Sequence, residues 1–235
     1  MRDDLIFKNK FFCSFSLVAW ITVFSLLLTM PLAIALNADK LQSAYLQRFG
    51  VAALPNFAAW QKMLESIKDL RAEEKIKRVN EFFNRRITWA DDQKVWGQAD
   101  YWATPLETLG RAAGDCEDFA IAKYYTLINA GIPVSKLRLV YVKAKNGNVP
   151  GLTTTEQAHM VMAYYPNPDA EPMILDNLIT DIRPASRRPD LQPIFSFNSE
   201  GVYVGPSAKD EKSGNARLSR WQDLLQRAQD EGFDQ

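Results

Sequence analysis

The chain has 235 residues, 47% hydrophobic and 24% charged, and its 28 basic and 28 acidic side chains leave no net charge at neutral pH. That composition suits one good-sized globular domain. It argues against a nucleic-acid partner, because there is no basic excess to neutralise phosphates.

Residues 1–38 are expected to lie outside the fold as a secretory signal peptide. Arg2, Lys8 and Lys10 precede an apolar run from Phe11 to Leu36, and Ala33-Ile34-Ala35 and Asn37-Ala38 offer small residues for cleavage. An uncleaved N-terminal anchor is the alternative, since the run is long enough to span a bilayer. Either way the domain, 39–235, faces outward across the inner membrane. Of the two cysteines, Cys13 falls in this leader, so the domain keeps Cys116 alone and has no internal disulfide. An unpaired thiol in an oxidising compartment is a liability unless it is buried or used.

From Pro55 onward the apolar residues follow helical spacing. Phe57, Trp60, Leu64, Ile67 and Leu70 mark one amphipathic helix over about 56–70, and Ile76, Val79, Phe82, Phe83 and Ile87 a second over about 73–87. Trp89, Trp96, Tyr101 and Trp102 make an irregular aromatic stretch. Thr104-Pro105-Leu106-Glu107 then has the pattern of a capping box with proline in the first turn. That short helix leads to Gly114-Asp115-Cys116-Glu117-Asp118, and the following Ile121–Ala130 is apolar on nearly every face until Gly131 and Pro133. Cys116 therefore opens a buried helix, where free N–H groups and the dipole favour a thiolate.

The second half changes period. Strands are expected at 137–144, 158–165 and 173–177, with a connecting loop over Lys145–Gln157. A hairpin is expected around Asn198–Gly201, and a helix through Leu218, Trp221, Leu224, Leu225 and Ala228. Helices first and antiparallel strands later make the fold class α+β.

The domain's one histidine, His159, shares a strand face with Val161, Ala163 and Tyr165. A four-residue loop at Pro166–Asp169 sets it opposite Asp176. A loop two residues longer makes the two diagonal neighbours on the same face, still within side-chain reach. Thiol chemistry needs such a set: an imidazole to take the proton and a carboxylate to fix the imidazole's tautomer. Each residue alone has a bland reading, as packing cysteine, core histidine or turn-forming aspartate. Together, in this order, they point to catalysis.

Gly114-Asp-Cys-Glu-Asp118, His159 and Asp176 resemble the bacterial transglutaminase-like cysteine proteinases of the papain-like superfamily. Within that group they resemble the LapG-type periplasmic proteases that release biofilm adhesins. Tyr101–Leu109, Leu175-Asp-Asn177 and Arg220-Trp-Gln-Asp-Leu224 extend the match over most of the domain. The resemblance implies a papain/transglutaminase-like fold, N-terminal helices with a buried nucleophile helix packed on an antiparallel sheet. It implies Cys116 as nucleophile, His159 as base and acid, and Asp176 as the orienting carboxylate. It also implies cleavage of a large surface adhesin near its N-terminus, sequestration by an inner-membrane receptor for cyclic di-GMP, and a need for Ca²⁺.

Calcium also has a local rationale. Asp115, Glu117 and Asp118 crowd the thiol and would oppose its ionisation, and a dication would remove that penalty. Oxygen ligands suit Ca²⁺, with Asp115 and Glu117 the firmest choices and Asp118 beside them. The plain reading of the three is helix-start acids favoured by the dipole. Two other activities remain open at this point: a transglutaminase-type acyl transferase with the same triad, and a non-catalytic calcium-dependent binding module.

Overall fold

The computed structural model of the chain describes residues 38–145, 156–204 and 211–233, without the side chains of 204 and 211–217. The signal-peptide reading therefore lies outside the described residues, apart from Ala38, as does most of the loop expected at 145–157. No helix among the described residues is long and apolar enough to cross a membrane. Residues from Lys40 onward form one compact unit.

Helix α1 runs through 38–49. It is followed by α2 (Leu54–Ile67) and α3 (Ala72–Arg86), each within a few residues of the span its periodicity predicts. Strand β1 is only Thr88–Trp89, α4 is Asp92–Val95 and α5 is Pro105–Arg111. Strand β2, Ala113–Gly114, pairs in parallel with β1. The nucleophile helix α6 is Cys116–Asn129.

Six further strands complete the architecture: β3 (Leu137–Lys145), β4 (Glu156–Tyr164), β5 (Met173–Leu175), β6 (Arg183–Pro184), β7 (Leu191–Asn198) and β8 (Gly201–Val204). They form one antiparallel sheet in the order β6-β5-β4-β3-β7-β8, and α7 (Glu211–Glu231) closes the chain. The third predicted strand is shorter than expected and ends before Asp176. The two residues of β1 and β2 carry no alternation from which pairing could be read.

Helix α6 lies between the sheet and the other helices, against β3 and β4 on one side and α3 and α5 on the other. Ten of its residues are buried, from Asp118 to Leu127. Its large apolar side chains each contribute roughly 1.5–3 kcal/mol by leaving water, an upper estimate against a fully extended chain. Its C-terminus is fixed by Gly131 at φ +84° and by Lys75, whose Nζ donates to the Ala130 carbonyl at 2.6 Å. The sheet alternates as a pleated strand must. Met160, Met162 and Tyr164 face the main core with α6, whereas Val161 and Ala163 join Val140, Val142 and Ile174 in a second cluster.

The capping box at α5 forms as its sequence predicts. The Glu107 amide donates to Thr104 Oγ1 at 3.2 Å, and the Thr104 amide to Glu107 Oε2 at 2.7 Å. Fully buried Glu107 also binds Tyr101 Oη at 2.7 Å, Arg227 Nη1 at 2.8 Å and Arg48. These partners join α1 and α7 to the segment ahead of the nucleophile. Arg227 Nη2 donates further to the Trp102 carbonyl at 2.7 Å.

Nearby Glu231 has Arg48 at 3.5 Å and the Thr104 hydroxyl at 2.9 Å as partners, and its other oxygen is buried without one. Burial pushes Glu231 up to about 7. A carboxyl raised on folding stabilises the protein below its unfolded value, and that benefit is lost as pH rises through 7. Glu231→Gln should therefore melt at or slightly below wild type at pH 5 and several degrees above it at pH 8.5. Thermal melts at the two pH values in the same calcium concentration check this, and equal differences at both would refute it.

Candidate active site

The β1–β2 bridge sets the approach to the nucleophile. Thr88 N–H donates to the Ala112 carbonyl at 2.9 Å and Ala90 N–H to the Gly114 carbonyl at 3.0 Å. Asp115 is extended and its side chain makes no cap bond, so the helix begins at Cys116 with that residue's N–H free of any helical partner. Gly114 is required by a close approach rather than by a turn. A Cβ there would sit 2.5 Å from Asp118 Oδ2 and 2.7 Å from Asp118 Cβ. Gly114→Ala should displace the Asp118 carboxylate, costing roughly 1–3 kcal/mol of stability. Denaturant melts check the cost, and calcium titration of the same variant reads the loss of the acidic pocket.

Cys116 and His159 line one cleft of about 650 Å³ with Trp89, Asp91, Asp92, Asp100, Asp115, Glu117, Tyr141, Asn177 and Leu178. The β4–β5 register is that of the longer loop. Tyr164 faces Met173 and Met162 faces Leu175, which makes His159 and Asp176 diagonal neighbours. His159 Nε2 lies 2.8 Å from Asp176 Oδ1, and both residues are almost fully buried. Nδ1 is thus the ring nitrogen left for another partner.

Asp176 is held from several sides. The Leu178 amide donates to Oδ1 at 3.0 Å, and Arg188 Nη2 binds Oδ2 at 2.7 Å while Nε and Nη2 hold Asp190. Burial alone would push the Asp176 carboxyl up, but the His159 hydrogen bond and charge, the amide and Arg188 together hold it well below the usual range. Lys123, seven residues into α6 from Cys116, is buried beside this group. Desolvation lowers its amine to about 7 against the opposing pull of Asp176.

The thiol's own hydrogen bond goes to Glu117 Oε2, 2.6 Å away, rather than to the imidazole. Burial raises the Cys116 thiol well above its ordinary value. The Glu117 charge and hydrogen bond and the Asp115 charge add to this, and the Met160 N–H beside His159 opposes it. As it stands, the helix N-terminus does not win against burial and two carboxylates.

The acids divide into two groups. Asp115 and Glu117 cluster with Cys116, while Asp115 and Asp118 cluster with Asp92, their ligand atoms within 4.8 Å of one another. In the second group Asp92 Oδ1, Asp115 Oδ1 and Asp118 Oδ2 are buried and have no hydrogen-bond partner. Desolvation is the leading cause that raises each carboxyl, Asp92 to about 6 and Asp115 to about 10, with Asp118 also pushed well up. Three buried oxygens without partners at this spacing are ligands of the kind a hard dication takes. Asp92 is the member that sequence reasoning missed. It lies 23 residues before Asp115 on a one-turn helix, and its only signal was the Asp91-Asp92 pair within the aromatic stretch. Arg188 was missed for the same reason, since no periodicity links it to Asp176.

A family model described as bacterial transglutaminase-like cysteine proteinase matches residues 59–189, which spans α6, His159 and Asp176. The chain belongs to the bacterial transglutaminase-like cysteine proteinases. The chain also resembles solved structures. Legionella pneumophila LapG matches at 37% identity and TM-score 0.66, over 81% of this chain and 96% of that one. An EGTA-treated form of the same protein matches equally well, and a calcium-bound form matches at 36% identity and TM-score 0.64, over 81% and 98%. These likenesses bear out the mixed helix and antiparallel-sheet fold of this proteinase family. No curated protein matches the chain.

Proposed function

We propose that the chain is a calcium-dependent cysteine endopeptidase that works in the periplasm after export by its N-terminal segment. Its substrate would be a large cell-surface adhesin cut near its N-terminus, which releases the adhesin and disperses biofilm. An inner-membrane receptor for cyclic di-GMP would sequester it. The observation that carries the reading is Cys116, the first residue of a buried helix, in one cleft with His159, whose Nε2 is held 2.8 Å from Asp176. Family membership supports the cysteine-protease chemistry, and the likeness to calcium-bound and EGTA-treated LapG supports the calcium dependence.

In this mechanism His159 Nδ1 takes the thiol proton and Asp176 stabilises the imidazolium through Nε2. The Cys116 sulfur attacks the scissile carbonyl carbon, and the oxyanion is met by the free Cys116 N–H. Collapse breaks the C–N bond as the imidazolium gives its proton to the leaving amine, leaving a thioester. Water, deprotonated by His159, then releases the acid and restores the thiol. The bond from the thiol to Glu117 must open before the first step. Asp92, Asp115 and Asp118 would hold Ca²⁺, with Glu117 at hand, and its charge would offset the carboxylates that now oppose the thiolate.

Incubating the purified protein with the host's large surface adhesin, then sequencing fragment N-termini, tests the reading. A single new N-terminus that depends on Cys116 is expected. Amine incorporation without chain cleavage would establish the acyl transferase instead, and an unaltered adhesin would overturn both.

A further inference from the structure

Strand β1 has a free edge. Thr88 and Ala90 direct their N–H groups to β2, so by strand alternation Trp89 directs its N–H and carbonyl away from it. The β1–β2 sheet has two strands, so among the described residues no strand occupies that other side. Trp89 is 55% exposed and lines the cleft that holds Cys116, as does Leu178, 51% exposed. They are the two large exposed apolar side chains of that cleft. The remaining lining includes Asp91, Asp92, Asp100, Asp115 and Glu117, with no lysine or arginine among the described residues.

We infer that the substrate polypeptide is held as an added β-strand on Trp89, with its main chain bonded to the Trp89 N–H and carbonyl and with side chains against Trp89 and Leu178. This rests on the protease reading and specifies how its substrate docks. An extended chain satisfies one donor and one acceptor at each edge residue that points outward, and alternate side chains then meet the walls. Trp89 is paired with Gly114, two residues before Cys116, so the strand's axis carries the chain toward the nucleophile within about 7 Å along its length.

The test uses the full chain carrying Cys116→Ala and a synthetic peptide spanning the cut mapped on the adhesin. Amide hydrogen exchange should slow at Trp89 by about ten-fold or more on saturation, with no change at Thr88 or Ala90, whose amides are already bonded. In the active protein, Trp89→Pro removes the N–H and should raise KM about ten-fold with kcat little changed, while Trp89→Phe should keep KM within about two-fold. A peptide that binds while Trp89 exchanges as before overturns the edge pairing but leaves the protease reading standing. An adhesin that the wild type does not cut overturns that reading, and the edge assignment with it.

Discussion

Cys116→Ala and His159→Ala should each abolish cleavage, by about 10³-fold or more in kcat, while far-UV circular dichroism and thermal melts stay close to wild type. The two side chains act as one unit, so the double variant should be no worse than either single one. Asp176→Asn should also lose about 10³-fold or more, because the amide cannot stabilise an imidazolium and permits the wrong tautomer at Nε2. The geometry adds a graded expectation. Arg188 holds the second oxygen of Asp176 at 2.7 Å and is itself 3% exposed. Arg188→Met should cost about 10–100-fold in kcat by releasing the carboxylate's orientation, with KM nearly unchanged. Single-turnover rates of adhesin cleavage measure the four single variants and the double one. A Cys116→Ala protein that still cuts would remove the mechanism altogether.

Chelation with EGTA should stop cleavage, and added Ca²⁺ should restore it. Three buried carboxylate oxygens without partners cannot all stay ionised together in a small space, and burial already pushes Asp115 up to about 10. A hard dication supplies the missing partner for each. Asp92→Asn and Asp115→Ala should each weaken Ca²⁺ binding about 100-fold or more by calorimetry, and Mg²⁺ should substitute poorly because it keeps its waters and a tighter octahedron. Iodoacetamide should label Cys116 faster with Ca²⁺ than in EGTA, since the carboxylates would no longer oppose the thiolate. Full activity in EGTA, with no heat of binding, would leave the acids as helix-start charges and nothing more.

Much of this site could be read before any coordinates existed, and the parts that could not share a cause. Cys116, the Thr104 capping box and the helix at its back are local: a cap, an apolar run and a glycine stop lie within one stretch of chain. His159 and Asp176 needed one step of hairpin geometry, and the sequence left two registers open. Eight residues, Tyr165–Pro172, separate Tyr164 from Met173 and select the diagonal one. Asp92 and Arg188 come from one-turn segments with no period, brought to Asp115 and Asp176 by the tertiary fold alone. The β1–β2 bridge was invisible because two residues cannot display a two-residue repeat.

The contacts of Arg227 have a bearing on when in its own synthesis this chain becomes dangerous. Trp102, Tyr101 and Glu107, the frame directly ahead of the nucleophile helix, are gripped by Arg227, which the chain reaches more than a hundred residues later. A ribosome would finish Cys116, His159 and Asp176 long before it supplies that grip. The nascent chain therefore carries every reactive group before Arg227 joins Arg48 and Thr104 on Glu107. The helix that follows the triad in the chain thus completes the frame ahead of it: Arg227 reaches back to segments made 120 residues and more before it.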